Sequence, residues 1–253
     1  MTRDTDRDWT KLATEHPYWA VLSVEEFRGE ELDEEKKARF FQSGREQIAR
    51  TINVVHRHFQ SNYRIIRGLD FGCGVGRLLL PIAERADQAV GVDVAPDMRE
   101  RCRRNLEAAN LGNATVVASD DALSQVEGLF NFVNTVIVIQ HIPPERGIRI
   151  LARLLALIEP GGVGSIQFTY AKERRFFPYE VSRGRFYRRD GTTLHDLVPI
   201  GEEPPEGTIT MFDYDLNQVM PMVAEMAAAP VLVLPTNDDG HIGVHLMFMR
   251  NRG

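Results

Sequence analysis

What most constrains this chain is an alternation of short apolar runs with helix-like stretches between residues 65 and 170. RIIRGLDF, QAVGVDV, ATVVAS, LFNFVNTVIVI and VGSIQFTY are brief and rich in β-branched and aromatic residues. Between them lie GRLLLPIAERA, APDMRERCRRNLEAANLG and PPERGIRILARLLALIEPGG, the last opening at proline and stopping at proline-glycine. Connections this short between alternating strand and helix types require right-handed βαβ crossovers and a parallel sheet. Upstream, LDEEKKARFFQSGREQIARTINVVHRHF reads as a helix with Phe41, Ile48, Ile52, Val55 and Phe59 on one apolar stripe and acidic residues at its start. Downstream, regularity lapses through KERRFFPYEVSRGRFYRRDGTT to GEEPPEGT, then returns as a helix over DLNQVMPMVAEMA and two strands, APVLVLP and HIGVHLMFM. The expectation is one α/β domain over 1–253. It comprises a helical cap (1–62), a core (63–170), an insertion too long to be a mere connector that acts as a lid (171–213), and a closing helix with strands (214–253).

Composition narrows the class. With 253 residues, 43% of them hydrophobic and 26% charged, the chain can bury a large core without disulfides or metals. Its two cysteines, Cys73 and Cys102, form neither a disulfide framework nor a ligand cluster, which fits a reducing cytosol. Cys73 reads as a small filler of its loop and Cys102 as inert or superficial. No apolar run reaches the roughly 18 residues of a membrane helix, and MTRDTDRDW is unlike a signal peptide. A net charge of −6 argues against a broad nucleic-acid surface.

After the first strand, LDFGCGVGR places Gly72, Gly74 and Gly76 behind Asp70. Bare glycines leading into a helix let a ligand approach unpaired backbone N–H groups. Asp70 either fixes this loop or takes a ligand ammonium. Asp93, closing the second strand, lies near the offset at which an acid accepts from ribose hydroxyls. The spacing is G-x-G-x-G, with Arg77 where a dinucleotide fingerprint has its last glycine, which weighs against a nicotinamide cofactor.

LDFGCGVGR, VGVDVAPDM, VVASDDA, LFNFVNTVIVIQHI and LIEPGGVGSIQF, in that order, resemble the motifs of class I S-adenosylmethionine-dependent methyltransferases. The resemblance covers about residues 65–170. It implies a doubly wound, Rossmann-like, seven-stranded and mostly parallel sheet whose last strand is antiparallel. It also implies S-adenosyl-L-methionine as cofactor and S-adenosyl-L-homocysteine as product. By motif position, Gly72, Cys73, Gly74 and Gly76 face the methionyl and ribose parts, Asp93 holds the ribose and Met98 covers the adenine. Asp120 or Asp121, with Ala122, meets the adenine edge. Asn131 departs from the family, which often has aspartate after Phe130. Trp19 in HPYWAV is expected to close over the cofactor, and Arg45 to meet its carboxylate.

The cofactor supplies an activated methyl group, so the protein must orient an acceptor and exclude water. A hydroxyl acceptor also wants a base. His141, in IQHIPP at the carboxyl end of the sheet, can be that base, the alternative being a cap for the helix at Pro143; Gln140 beside it can orient cofactor or acceptor. His16 and His195 are lesser candidates, while His56, His58, His241 and His245 form no ligand set. The chain lacks the Asn/Asp-Pro-Pro-aromatic run after the fourth strand that adenine- and glutamine-modifying relatives carry. The insertion interleaves Arg174, Arg175, Arg183, Arg185, Arg188 and Arg189 with aromatic residues, a mixture suited to sugars or anionic small molecules. HPYWAVLSVEEF and MFDYDLNQVM look faintly like the flanks of bacterial methyltransferases that act in polysaccharide building. The resulting expectation is a cytosolic, metal-independent O-methyltransferase with a small-molecule acceptor, carbohydrate included, and no nucleic-acid or membrane partner. A homodimer stays open. The alternatives are a small-molecule N-methyltransferase and a non-catalytic cofactor-binding scaffold.

Overall fold

The computed structural model of the protein describes residues 4–173, 209–228 and 231–252, with the backbone of four two-residue strands between 185 and 199. The basic and aromatic side chains read between 174 and 189, and His195, lie outside the described residues. Helices α1 (Thr5–Glu15), α2 (Pro17–Val21) and α3 (Glu34–His58) precede strand β1 (Arg67–Phe71). There follow α4 (Leu79–Ala83), β2 (Gln88–Asp93), α5 (Pro96–Ala108), β3 (Ala114–Ala118), β4 (Phe130–Thr135), α6 (Pro144–Leu157) and β5 (Ile158–Lys172). Two small ribbons come next, β6 (Arg185–Phe186) with β9 (Val198–Pro199) and β7 (Arg189–Asp190) with β8 (Thr193–Leu194). The chain closes with α7 (Leu216–Met226), β10 (Leu232–Asp238) and β11 (His241–Met249).

The main sheet has seven strands in the order β10-β11-β5-β4-β1-β2-β3. Pairings among β3, β2, β1, β4 and β5 are parallel, while β11 runs antiparallel to both β5 and β10. This is the doubly wound α/β sheet expected from the alternation, with the order reversing beside β1, where such sheets open a crevice at their carboxyl edge. Every residue of β4 is buried, as a strand covered on both faces must be. No helix of the described residues is long and apolar enough to cross a membrane.

Asn131, the departure from the family's aspartate, has a local reason. Its Oδ1 accepts from the N–H groups of Ile66 and Arg67, both at 2.9 Å, and its Nδ2 donates to the Arg64 carbonyl at 2.7 Å. An aspartate could accept the first two bonds but could not donate the third.

Helix α3 meets the glycine loop without a spacer. A Cβ on Gly44 would stand 1.9 Å from the Arg77 carbonyl oxygen, which is rigid backbone. Gly44→Ala is therefore expected to push the helix off the loop and cost about 1–3 kcal/mol, as overpacking does. Thermal unfolding should show a fall of several degrees in Tm, and an unchanged Tm would show that the helix yields.

Candidate functional site

Between β1 and β2 the chain turns through Gly72, Gly74 and Gly76, all at positive φ. The Gly72 and Cys73 N–H groups donate to the Val92 carbonyl, and Gly74 donates to the Asp93 carboxylate at 2.8 Å. The bareness of this loop serves the protein as well as a ligand. A Cβ on Gly72 would meet the Val138 side chain at 2.4 Å, and one on Gly74 would meet Val21 at 2.4 Å. The segment after β4 that delivers Val138 passes through Ile137 at φ 59°, a strained conformation for a β-branched residue, and then turns through residues 139–141.

These turns border an open cleft at the carboxyl edge of the sheet. Asp70, Gly72, Cys73, Gly74, Asp93, Met98 and His141 line it. The other residues expected at the site lie elsewhere. Gly76 sits beneath the loop, where its Cβ would meet Leu80 and Cys102. Arg45 faces away and pairs with Glu84 at 2.8 Å. Trp19 packs against the core and under the Arg28 guanidinium, 4.2 Å from the ring centre. Asp120 caps its own turn by accepting from the Ser124 N–H and hydroxyl, and Asp121 is held by Arg146 and Arg149. Ala122 offers its carbonyl to Arg153, so Ser119 is the residue of this loop that reaches the cleft. Gln140 is buried behind the wall, with its amide nitrogen 3.8 Å from the Met211 sulfur. Cys102, expected to be inert or superficial, is fully buried, and its interaction with Cys73 together with burial pushes the Cys73 thiol up.

Three features of the site carry no local sequence signal. The first is α1, whose Thr5, Asp6 and Trp9 form part of the wall. Arg146 binds Asp6 with its two terminal nitrogens, at 2.5 and 2.7 Å, while its Nε holds Asp121. Thr14 donates to Asp97 at 2.7 Å, so α1 is fastened at both ends. The second is Arg77, which lines the cleft though only 4% exposed. It donates to Gln47 at 2.8 Å, and its Nε has no partner among the described residues. Burial lowers its pKa to about 10, so it is a cation at neutral pH. The third is Trp9 beside His141, with ring centres 4.8 Å apart in an edge contact.

Charge in the site is unevenly tuned. Burial pushes Asp70 up to about 7, against the Asn134 hydrogen bond and the Arg77 charge. Its Oδ1 accepts from Asn134 Nδ2 at 2.8 Å, the one hydrogen bond the described residues give this carboxyl. Burial also raises Asp93, opposed by the N–H groups of Ala95 and Gly74. His141 is lowered to about 4, chiefly by burial. Its Nδ1 lies 2.9 Å from the Thr210 carbonyl. A carbonyl only accepts, so Nδ1 carries the proton and Nε2 is the ring's lone-pair nitrogen. Behind His141 the buried Lys172 and Asp213 form an ion pair.

The site fits a zwitterionic nucleoside. It offers a carboxylate at Asp70, the guanidinium of Arg77 in the cleft lining, and at Asp93 a carboxylate with lone pairs beyond the two it spends on backbone. Residues 69–162 match the family model for a methyltransferase domain. An uncharacterised methyltransferase of Mycobacterium tuberculosis is 33% identical over 141 residues, covering 54% of this chain and 52% of its own length. A ubiquinone biosynthesis O-methyltransferase of Xanthomonas oryzae is 34% identical over 98 residues, covering 38% of this chain and 40% of that protein. The chain thus spans about half, or less, of the curated relatives it matches. The magnesium protoporphyrin IX methyltransferase of Synechocystis, solved with bound S-adenosylmethionine, superposes with a TM-score of 0.60 over 99% of each chain at 15% identity, a likeness of fold.

Proposed function

We propose, for a chain that belongs to the class I S-adenosylmethionine-dependent methyltransferases, that its acceptor is a hydroxyl of a small molecule, a sugar or oligosaccharide precursor being the first class to try. The cofactor supplies the activated methyl group. The residues bind it, aim the acceptor and handle the proton. Asp70 takes the ammonium, Arg77 takes the carboxylate in place of the distant Arg45, and Asp93 accepts from the ribose hydroxyls. Met98 packs against the base, and α1, latched through Arg146, keeps water off the cleft.

The observation that carries the hydroxyl reading is the state of His141. Its ring is neutral, its Nδ1–H is committed to Thr210, and its Nε2 is left as an acceptor on the cleft wall. An oxygen acceptor must shed a proton, and this nitrogen is placed to take it. The test is uptake of labelled methyl from S-adenosylmethionine into parallel panels of sugars, phenols and amines. Label in hydroxyl compounds supports the reading. Label in amines alone replaces it with N-methylation. Binding of S-adenosylhomocysteine with no transfer to any panel leaves the scaffold reading.

A further inference from the structure

Three buried side chains and a half-buried histidine cross the sheet in one line of hydrogen bonds, from the cleft to the second strand from its edge. Asp70 on β1, Asn134 on β4 and Ser165 on β5 are successive cross-strand partners, so their side chains share one face at one level. His245 lies on β11 diagonally beside Ser165. Asn134 Nδ2 donates to Asp70 Oδ1 at 2.8 Å, and the Ser165 hydroxyl donates to Asn134 Oδ1 at 2.9 Å. His245 Nε2 stands 2.8 Å from the same hydroxyl. Asn134 and Ser165 have no exposed surface, and Asp70 has 2%.

The polarity of this line is set at its Asp70 end, where a carboxylate only accepts, so Asn134 turns its NH₂ group to Asp70 and its oxygen to Ser165. The single Ser165 proton goes to the amide oxygen, so the hydroxyl can only accept from His245, whose ring must carry its proton on Nε2. With its oxygen thus occupied, the Asn134 amide is held with its NH₂ group toward Asp70. Turned over, it would set oxygen against oxygen, and Asp70 could meet it only as the protonated acid. Burying an amide, a hydroxyl and an imidazole inside a sheet costs more than burying apolar residues unless every member is satisfied. Strand packing alone gives no reason to keep them there.

We infer that Ser165 and His245 are positioning residues for the cofactor's amino-acid end: they lock the Asn134 amide so that Asp70 meets the ammonium as a carboxylate. This rests on the reading that Asp70 binds that ammonium. Two ligands tell the roles apart. S-adenosylhomocysteine carries the ammonium, whereas 5′-methylthioadenosine has the nucleoside and sulfur without the amino-acid group. By calorimetry, Ser165→Ala and His245→Leu are each expected to weaken S-adenosylhomocysteine about tenfold, the worth of one charge-assisted hydrogen bond. Methylthioadenosine should stay within about twofold. His245→Gln, which retains an N–H donor, should restore most of the loss and so separates the relay from packing even if Ser165→Ala fails to fold. Equal loss for both ligands, or none for either, overturns the relay while leaving the cofactor reading intact. A wild-type chain that binds neither ligand overturns both.

Discussion

Asp70→Asn is expected to make the ligand-free protein more stable above neutral pH and a far weaker binder of S-adenosylhomocysteine. The Asp70 carboxyl is 2% exposed, and burial pushes its pKa up to about 7 from an ordinary carboxyl value of 3.8. A folded state with the higher pKa holds its proton more tightly than the unfolded chain does. The stability linked to that proton is therefore fully present below about pH 4 and is lost as pH rises through about 7. At pH 8 the folded protein carries a desolvated charge costing on the order of 4 kcal/mol, an upper figure because burial also orders compensating dipoles. Asparagine keeps an oxygen to accept from Asn134 and carries no charge. The variant's Tm should exceed the wild type's at pH 8, with the difference vanishing near pH 4.

Binding should move the other way. Removing one partner of a buried ion pair leaves the other charge unpaired, at about 3–5 kcal/mol, so affinity should fall by roughly a hundredfold or more. In the wild type, affinity should rise about tenfold per pH unit between about pH 5 and 7 as Asp70 ionises, and then level off. The Asp70→Asn protein should lose that slope. Calorimetry across this range, paired with thermal unfolding from pH 4 to 8, checks both halves. A variant that binds as the wild type does removes Asp70 from the ammonium site.

What could be read from the sequence follows from how far apart the interacting residues lie. The strands, their helices and the loop at Gly72–Gly76 are written in local periodicity and spacing, and the sheet forms as those patterns require. Asp70, Asp93 and His141 reach the cleft because each lies at or just beyond a strand's carboxyl end, a position that the alternation locates. Helix α1 has no such signature, because TDRDWTKLATE has few apolar residues. It owes its place to Arg146 and Asp97, about 140 and 83 residues away along the chain. The sequence points to Trp19 rather than Trp9 for the same reason, since nothing local says which indole meets His141. Arg45 and Arg77 show the converse. Both are arginines near the loop, but Arg45 is neutralised by Glu84 at the surface while Arg77 is drawn inward with an unpaired N–H. The aspartates of SDDA look available in sequence, yet Ser124, Arg146 and Arg149 claim them in the fold.

His141→Ala is expected to lower turnover on a hydroxyl acceptor by around 10²–10⁴ while leaving S-adenosylhomocysteine affinity within a few-fold. A pKa of about 4 makes His141 a weak base, but the task suits one. As the acceptor oxygen gains its methyl group its proton becomes strongly acidic, so even this imidazole accepts it downhill, at the Nε2 lone pair that Thr210 keeps free by holding Nδ1–H. The neutral ring is the active form, so turnover at saturating cofactor should be flat from about pH 5 upward and fall only toward pH 4. The limb near pH 7 that Asp70 imposes on cofactor capture should be absent from it. A methylated amine, by contrast, keeps a proton far too basic for a group of pKa about 4 to remove, and must lose it to water. If the true acceptor is a nitrogen, His141→Ala should therefore spare most of the turnover. The size of the loss, measured on whichever compound takes up the label, thus decides between the two acceptor chemistries as well as on the role of His141.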